Sequence, residues 1–297
     1  MEVKWEISSS FVYVEEGAMN LHPVPRIPMC IALTYITTYS NNARTFPIGC
    51  GCQCDSNDEI KSFVIKLINN NENKERSAVR ELIGNVLAYI LHLPVPGAAK
   101  ITISKNFPKF CSSEHQSEIK KSIGLNFGCL TQSGDYRQVP PNPRIRPENI
   151  QSAIGIFAFD LFTQNLDRTK RNSNLLEKAK YVMIDHEYIF SNLYTDLLIG
   201  EVAPMVCWEL DKKSKLIIEH VFYNSLRQAN DLSVAIMDFC KLFSLITQDI
   251  VDRIFSQVPK EWRTEKSIED MQKMHEQILL HANNPDKFTR FLQEVLG

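Results

Sequence analysis

The chain has 297 residues, 44% of them apolar and 23% charged, and a formal net charge of -2. That is enough apolar material for a large core or two lobes, while so small a net charge supplies no general basic field for nucleic acid or for an acidic membrane. No apolar run approaches a transmembrane span, and the N-terminal Met1 to Glu6 lacks a signal peptide's apolar core, so a soluble, cytoplasmic chain is expected, with no membrane partner and no nucleic acid as primary partner.

Strand-like runs are expected at Met29 to Tyr39, Ile60 to Ile68, Lys100 to Ser104 and Leu125 to Leu130, with one long helix from about Arg76 to Leu91. Cys50, Cys52 and Cys54, three of eight cysteines, alternate along the chain. This spacing lacks the two cysteine pairs of a structural zinc site, and without a secretion signal reduced thiols are expected. Gly49 and Gly51 read as a turn before the Ile60 strand, either a plain hairpin turn or one that covers nucleotide phosphates. A full Gly-x-Gly-x-x-Gly is absent.

Lys66 lies within Phe63 to Ile68, a run apolar on both faces. A lysine in a buried strand must snorkel, lose its charge or meet an anion. Glu81 is the candidate anion. It lies on the Arg76 helix, whose Val79, Leu82, Ile83, Val86, Leu87 and Ile90 recur at three- and four-residue intervals. Ala78, Asn85 and Ala88 flank it and would let helix and strand approach closely. The alternative is an edge-strand lysine and a solvated glutamate. Leu-His-Leu-Pro-Val-Pro, residues 91 to 96, ends the helix.

Residues 132 to 147 carry Gly134, Pro140, Pro141, Pro143 and Pro147 and read as a stiff connection where a hinge would lie. Pro147 suits the first turn of the next helix, in which Phe157, Phe159, Leu161 and Phe162 mark core. Leu175, Leu176 and then Tyr181 to Ile184 predict two short antiparallel strands joined by a turn at Glu177 to Lys180. Such a hairpin sets Asn172 and Asn174 beside Asp185, with Asp167 on the loop leading in. Hard oxygen ligands of this kind suit magnesium on phosphate. Metal-assisted phosphoryl transfer needs a group to orient or deprotonate the attacking hydroxyl, which Asp167 fits, and oxygen ligands for the metal, which Asn172 and Asp185 fit. His186 is either an acid-base group or a structural hydrogen-bonding neighbour of Asp185. Helices are expected over Ala235 to Phe255, Ser267 to Ala282 and Pro285 to Leu296. His275, Glu276 and His281 lack the spacing of a zinc-protease helix and read as solvated.

The run Asp-Arg-x-x-x-Asn-x-Asn from Asp167, followed by Ile-Asp-His, resembles the catalytic and metal-binding segments of the HipA-like kinases. The helix that Glu81 opens and Leu-Pro-Val-Pro closes, and Val-Pro-Lys-Glu-Trp at 258 to 262, are similar to the same family, so the resemblance runs from about Cys50 to the C-terminus. It implies an α+β, two-lobed, protein-kinase-like fold, with a sheet-containing N-lobe over 1–131, a hinge over 132–147 and a mainly helical C-lobe over 148–297. It also implies ATP and Mg2+ as cofactors. Lys66 would serve the nucleotide phosphates with Glu81, Gly49 and Gly51 in support; Asp167 would be catalytic, and Asn172, Asn174 and Asp185 would hold metal. The implied acceptor is a protein serine or threonine, with room for a regulatory protein partner. Residues 1 to about 45 have no counterpart, and Thr169 stands where related motifs often carry histidine. Two other readings remain: a degenerate kinase-like nucleotide-binding module acting through a protein partner, and a small-molecule or lipid kinase.

Overall fold

Alternation of buried and outward residues builds the first half of the molecule. In strand β1 (Met29–Thr38), Cys30 and Ala32 are buried while Met29, Ile31 and Leu33 face outward, the period-2 pattern of a sheet with one packed face. The computed structural model describes residues 20–39, 46–55, 59–70, 74–190 and 205–297; parts of the segment 1–45, which has no counterpart in the resemblance, lie outside these. Strands β2 (Pro47–Cys54), β3 (Ile60–Lys66), β4 (Ala98–Ile103) and β5 (Gly124–Leu130) join β1 in a closed barrel of order β1, β2, β3, β5, β4. Parallel pairing of β1 with β4, Met29 opposite Lys100, completes the ring, and closure removes exposed strand edges. The chain is thus mixed α+β, with a closed barrel where a small sheet was expected.

Two expectations for β2 are corrected. Gly49 and Gly51 lie within the strand, not in a turn. Cys50 and Cys52 fill the barrel interior, which places the glycines on the opposite face, beside their partners Thr37 and Thr34 of β1. A Cβ at Gly51 would collide with Thr34 Oγ1, and one at Gly49 would lie 3.1 Å from Thr37 Cγ2. Strand β1 is irregular at both places, and its Thr34 and Thr37 side chains lean over the neighbouring strand where glycine leaves room. The second correction concerns the thiols. Cys30 and Cys54 face each other across β1 and β2 and are joined by a disulfide, while the other six cysteines are free. Burial raises the Cys50 thiol well above its ordinary range and Cys52 to about 12, so both behave as small apolar side chains.

Helix α1 (Lys74–Ile90) packs against the helical part of the chain rather than into the barrel interior. Its Leu82, Val86 and Leu87 share one core with Phe157 and Phe162 and with the C-terminal Phe243, Ile278 and Phe288. A short helix α2 (Gln116–Lys121) leads into β5. Strands β7 (Leu175–Glu177) and β8 (Tyr181–Met183) form the expected hairpin, Leu175 opposite Met183, around a turn at 178–180. The stretch expected as a hinge contributes a third strand to it, β6 (Arg137–Gln138), paired with β7. Helix α3 (Ile150–Phe162) follows a 3-10 turn that begins at Pro147.

Among the described residues the remaining helices are α4 (Lys215–Ile218), α5 (Tyr223–Arg227), α6 (Ser233–Phe243), α7 (Gln248–Ser256), α8 (Glu265–Ala282) and α9 (Pro285–Leu296). The single helix expected over Ala235 to Phe255 is broken, because Thr247 accepts the Ile250 amide hydrogen as an N-cap and starts a new helix. His281, read as solvated, is fully buried between Phe162, Trp208 and Phe288. Its Nδ1 donates to the Gln277 carbonyl (2.8 Å) and its Nε2 accepts from the Cys207 amide (3.1 Å). Such bonding suits a neutral ring and needs no solvent. Among the described residues, no helix is long and apolar enough to cross a membrane.

Candidate active site

Lys66 ends β3, between β2 and β5, with its side chain only 17% exposed. It is ion-paired with Glu81 of α1 and, at 2.7 Å, with Asp185 Oδ1 just after β8. Burial opposes the lysine's charge, but Asp185, Glu81 and Glu187 outweigh it and hold Lys66 protonated well above its ordinary value. Burial likewise works against Asp185, and Lys66 overrides it, so this carboxyl lies below its ordinary value. Glu81 goes the other way: burial pushes it up to about 8 against the pull of Lys66. The edge-strand and solvated-glutamate alternative therefore does not hold, since Glu81 is 2% exposed.

Close approach of α1 depends on Gly84. A Cβ there would lie 2.6 Å from Ile189 Cδ1 and 2.8 Å from His186 Cβ. The approach lets the His186 amide donate to Glu81 Oε2 at 3.0 Å, fixing the carboxylate from the loop that follows β8. The His186 ring is buried, and burial lowers it to about 3, which favours the neutral ring beside Asp185. The Leu-Pro-Val-Pro tail also has a use: the Pro94 carbonyl accepts from the Met183 amide (2.7 Å), tying β8 to the end of α1.

The second half of the site surrounds Asp167. Asn172 Nδ2 (3.0 Å) and Asn174 Nδ2 (2.7 Å) both donate to Asp167 Oδ2. Burial raises Asp167 above its ordinary value, and the charge of Asp185 adds to the effect, which places the two carboxylates in one electrostatic neighbourhood. Asn174 (φ 46°) and Asp185 (φ 62°) adopt the left-handed region, which Asn and Asp tolerate better than other side chains. Local strain of this kind persists where surrounding structure over-determines it. Here the Ile184 amide donates to the Asn174 carbonyl (3.1 Å), locking the two segments together.

Beneath lies a buried polar network that the sequence reading missed. Arg168 donates through Nε to Asp160 Oδ2 (2.6 Å) and through Nη1 to the carbonyls of Asn174 and Ile184. Asn165 donates to Asp160 Oδ1 (2.9 Å) and accepts from the Asp167 amide (3.2 Å). The third partner is His220, with Nε2 at 3.0 Å from Asp160 Oδ2 and Nδ1 accepting from the Phe222 amide, so Nε2 carries the proton. Asp160 and Arg168 are both fully buried. The signal for this network was a lone carboxylate in an otherwise apolar helix, which cannot remain charged without partners.

Glu187 is the other omission. It is 8% exposed, accepts from Ser77 Oγ of α1 (2.9 Å), and offers a carboxylate oxygen within 4.8 Å of those of Glu81 and Asp185. Its place two residues after Asp185 was its only sequence signal. The structure thus gathers Lys66, Glu81 and Asp185 in direct contact, and Asp167, Asn172 and Asn174 in a second hydrogen-bonded group tied to the first segment by the Ile184 amide on the Asn174 carbonyl. Gly49 and Gly51 are not brought to this site as a phosphate-covering turn. The cleft over Lys66, lined by Lys74, Ser77, Glu81, Phe127 and Glu187, is nearly filled, at ≈ 10 Å³. A hollow of ≈ 520 Å³ between Asn142 and Ile145 on one side and Asn224 and Ala229 on the other contains none of these groups.

A barrel lysine pairs with a helix glutamate, and Asp167 and Asn172 before the β7–β8 hairpin and Asp185 after it bring carboxylate and carboxamide groups in that order. A family model described as HipA-like kinase matches residues 34–199, more than half of the chain and all of these residues. The chain belongs to the HipA-like kinase family. The match begins before Cys50 and ends at 199, so Val-Pro-Lys-Glu-Trp at 258 to 262 lies outside it. No curated protein matches the chain.

Proposed function

We propose that the chain is an ATP- and magnesium-dependent phosphotransferase that moves the γ-phosphate of ATP to a hydroxyl acceptor, a protein serine or threonine. The observation that carries this reading is the state of Asp167. Both carboxamides donate to its Oδ2, which leaves Oδ1 to accept the acceptor's hydroxyl hydrogen, and its raised pKa makes it a better proton acceptor. In the same bonds Asn172 and Asn174 spend their N–H groups on Asp167, so their carbonyl oxygens are available to a cation. With Asp185 these are hard oxygen donors of the kind that suits magnesium. When bound there, the metal supplies neutralisation of the charge on the nucleotide phosphates.

In this reading residues 1–131 form the nucleotide-side lobe, 132–147 the hinge and 148–297 the helical lobe. Lys66 binds phosphate and Glu81 orients it. With nucleotide and metal bound, Lys66, now paired with Asp185, would hold phosphate, and Asp185 with Asn172 and Asn174 would hold the metal. The Arg168–Asp160 network holds the Asp167 loop.

The test is magnesium-dependent transfer of labelled γ-phosphate to the protein itself and to added protein or small-molecule acceptors, comparing wild type with Asp167→Asn. Transfer is expected to fall by about 10²–10⁴-fold in the variant, the usual span for loss of a general base, with ATP affinity and melting temperature retained. ATP binding without transfer by wild type would favour an interaction module. Absence of ATP binding would remove the nucleotide-site reading altogether.

A further inference from the structure

We propose that Asp270, on α8, is a positioning residue for the Lys66–Glu81 pair: by gripping two arginines of α1 it sets the helix at the height where Glu81 meets Lys66. The inference rests on the phosphotransferase reading only for the role of that pair. Arg76 donates through Nε to Asp270 Oδ2 (2.7 Å) and through Nη2 to Oδ1 (2.9 Å), and Arg80 Nη2 donates to Oδ2 (3.0 Å). The grip is buried, with Asp270 5% and Arg80 0% exposed. A two-pronged guanidinium to carboxylate contact fixes direction as well as distance.

Helix geometry carries that grip to the site. Arg76 and Arg80 stand one turn apart, and Ser77 and Glu81 each follow by one position, about 100° around the helix. The face of α1 held by α8 therefore adjoins the face that reaches Glu187 through Ser77 and Lys66 through Glu81. A rotation that takes the arginines from Asp270 takes Glu81 from Lys66. The same C-terminal stretch also references the barrel: Trp262 Nε1 donates to the Leu125 carbonyl of β5 (3.2 Å), and Gln257 Oε1 accepts from the Ile27 amide (3.2 Å). Residues 257 to 270 thus hold both members' supports, the barrel that carries Lys66 and the helix that carries Glu81. Without the Asp270 charge, two guanidiniums one turn apart lose the carboxylate set between them and repel, which favours a turned helix.

A double-mutant cycle tests this in the full chain, read by affinity for ATP with magnesium in wild type, Asp270→Asn, Glu81→Gln and the double variant. Acting through Glu81, Asp270→Asn is expected to weaken binding about ten-fold in the wild-type background and less than about two-fold when Glu81 is already Gln. Equal losses in both backgrounds, or none in either, overturn the proposal. A second readout needs no nucleotide. The His186 amide donates to Glu81 Oε2, so its hydrogen exchange is expected to quicken about ten-fold in Asp270→Asn while α3 and α9 stay protected; a uniform rise across the chain would show a merely structural role. Arg76→Gln, which leaves the buried Arg80 in place, is the second variant should Asp270→Asn fail to fold. Wild type that binds no ATP would sink the phosphotransferase reading, while hydrogen exchange still decides whether Asp270 holds Glu81.

Discussion

Asp160 stands in a helix turn otherwise made of Phe157, Phe159, Leu161 and Phe162, and Arg168, Asn165 and His220 converge on it. Burial works against this carboxylate, yet Arg168 and then His220 hold it below its ordinary value. Removing the charge in Asp160→Asn leaves Arg168 fully buried without its counter-ion. Loss of one member of such a pair costs about 3–5 kcal/mol. Urea unfolding should therefore show the variant less stable by that amount, and a change below about 1 kcal/mol would mean the network contributes little. At this scale the grouping of Asp167, Asn172 and Asn174 was legible, because the hairpin that follows them sets the polar side chains of that short stretch together. Asp160 and His220 were not, since nothing local links positions 60 residues apart.

At the scale of elements, Gly84 and the Cys30–Cys54 bond make the clearest predictions. Alanine for an interior helix glycine ordinarily gains up to about 1 kcal/mol, but here the added methyl meets Ile189 and His186. Overpacking typically costs about 1–3 kcal/mol, so Gly84→Ala should be net destabilising and should weaken ATP binding as α1 is pushed from Lys66. An unchanged or raised melting temperature with full ATP affinity would show that the helix has slack.

The disulfide closes a chain separation of 24 residues, for which the chain-entropy model gives about 3.5 kcal/mol. Cys30→Ser or added reductant should lower stability toward that extent; equal unfolding midpoints with and without reductant would show that the bond contributes nothing. The strands with apolar alternation were legible from sequence. Strand β2 was missed because Gly-Cys-Gly-Cys reads locally as a turn, and only the Thr34 and Thr37 side chains of the neighbouring β1 explain its glycines.

For the whole molecule, buried neutral histidines set a dependence on pH. Burial lowers His281 to about 4, and lowers His220 in the same direction. An unfolded chain takes up these protons near pH 6.5, before the folded one does. The contribution is thus full above pH 6.5 and lost as pH falls toward 4. For His281 it is about 3 kcal/mol at most. Protonation would also set an N–H at Nε2 against the Cys207 amide, which now donates to it. Urea midpoints should fall from pH 7.5 to pH 5, and less steeply in His281→Gln; a flat profile in wild type would contradict the assignment.

What the sequence by itself determined was everything governed by local period or by chemistry. The alternating strands, the long helix carrying Glu81, the hairpin at 175–183 and the ordered oxygen donors all belong here, because each is specified by neighbours a few residues away. Tertiary structure alone decided the rest. Barrel closure came from pairing Met29 with Lys100, the disulfide from registering Cys30 against Cys54, and the counter-ions of Arg168 and Arg76 from helices 8 and 194 residues distant. The reason is physical: a buried charge or thiol announces that it needs a partner, but which group meets it is settled by packing between elements far apart in the chain.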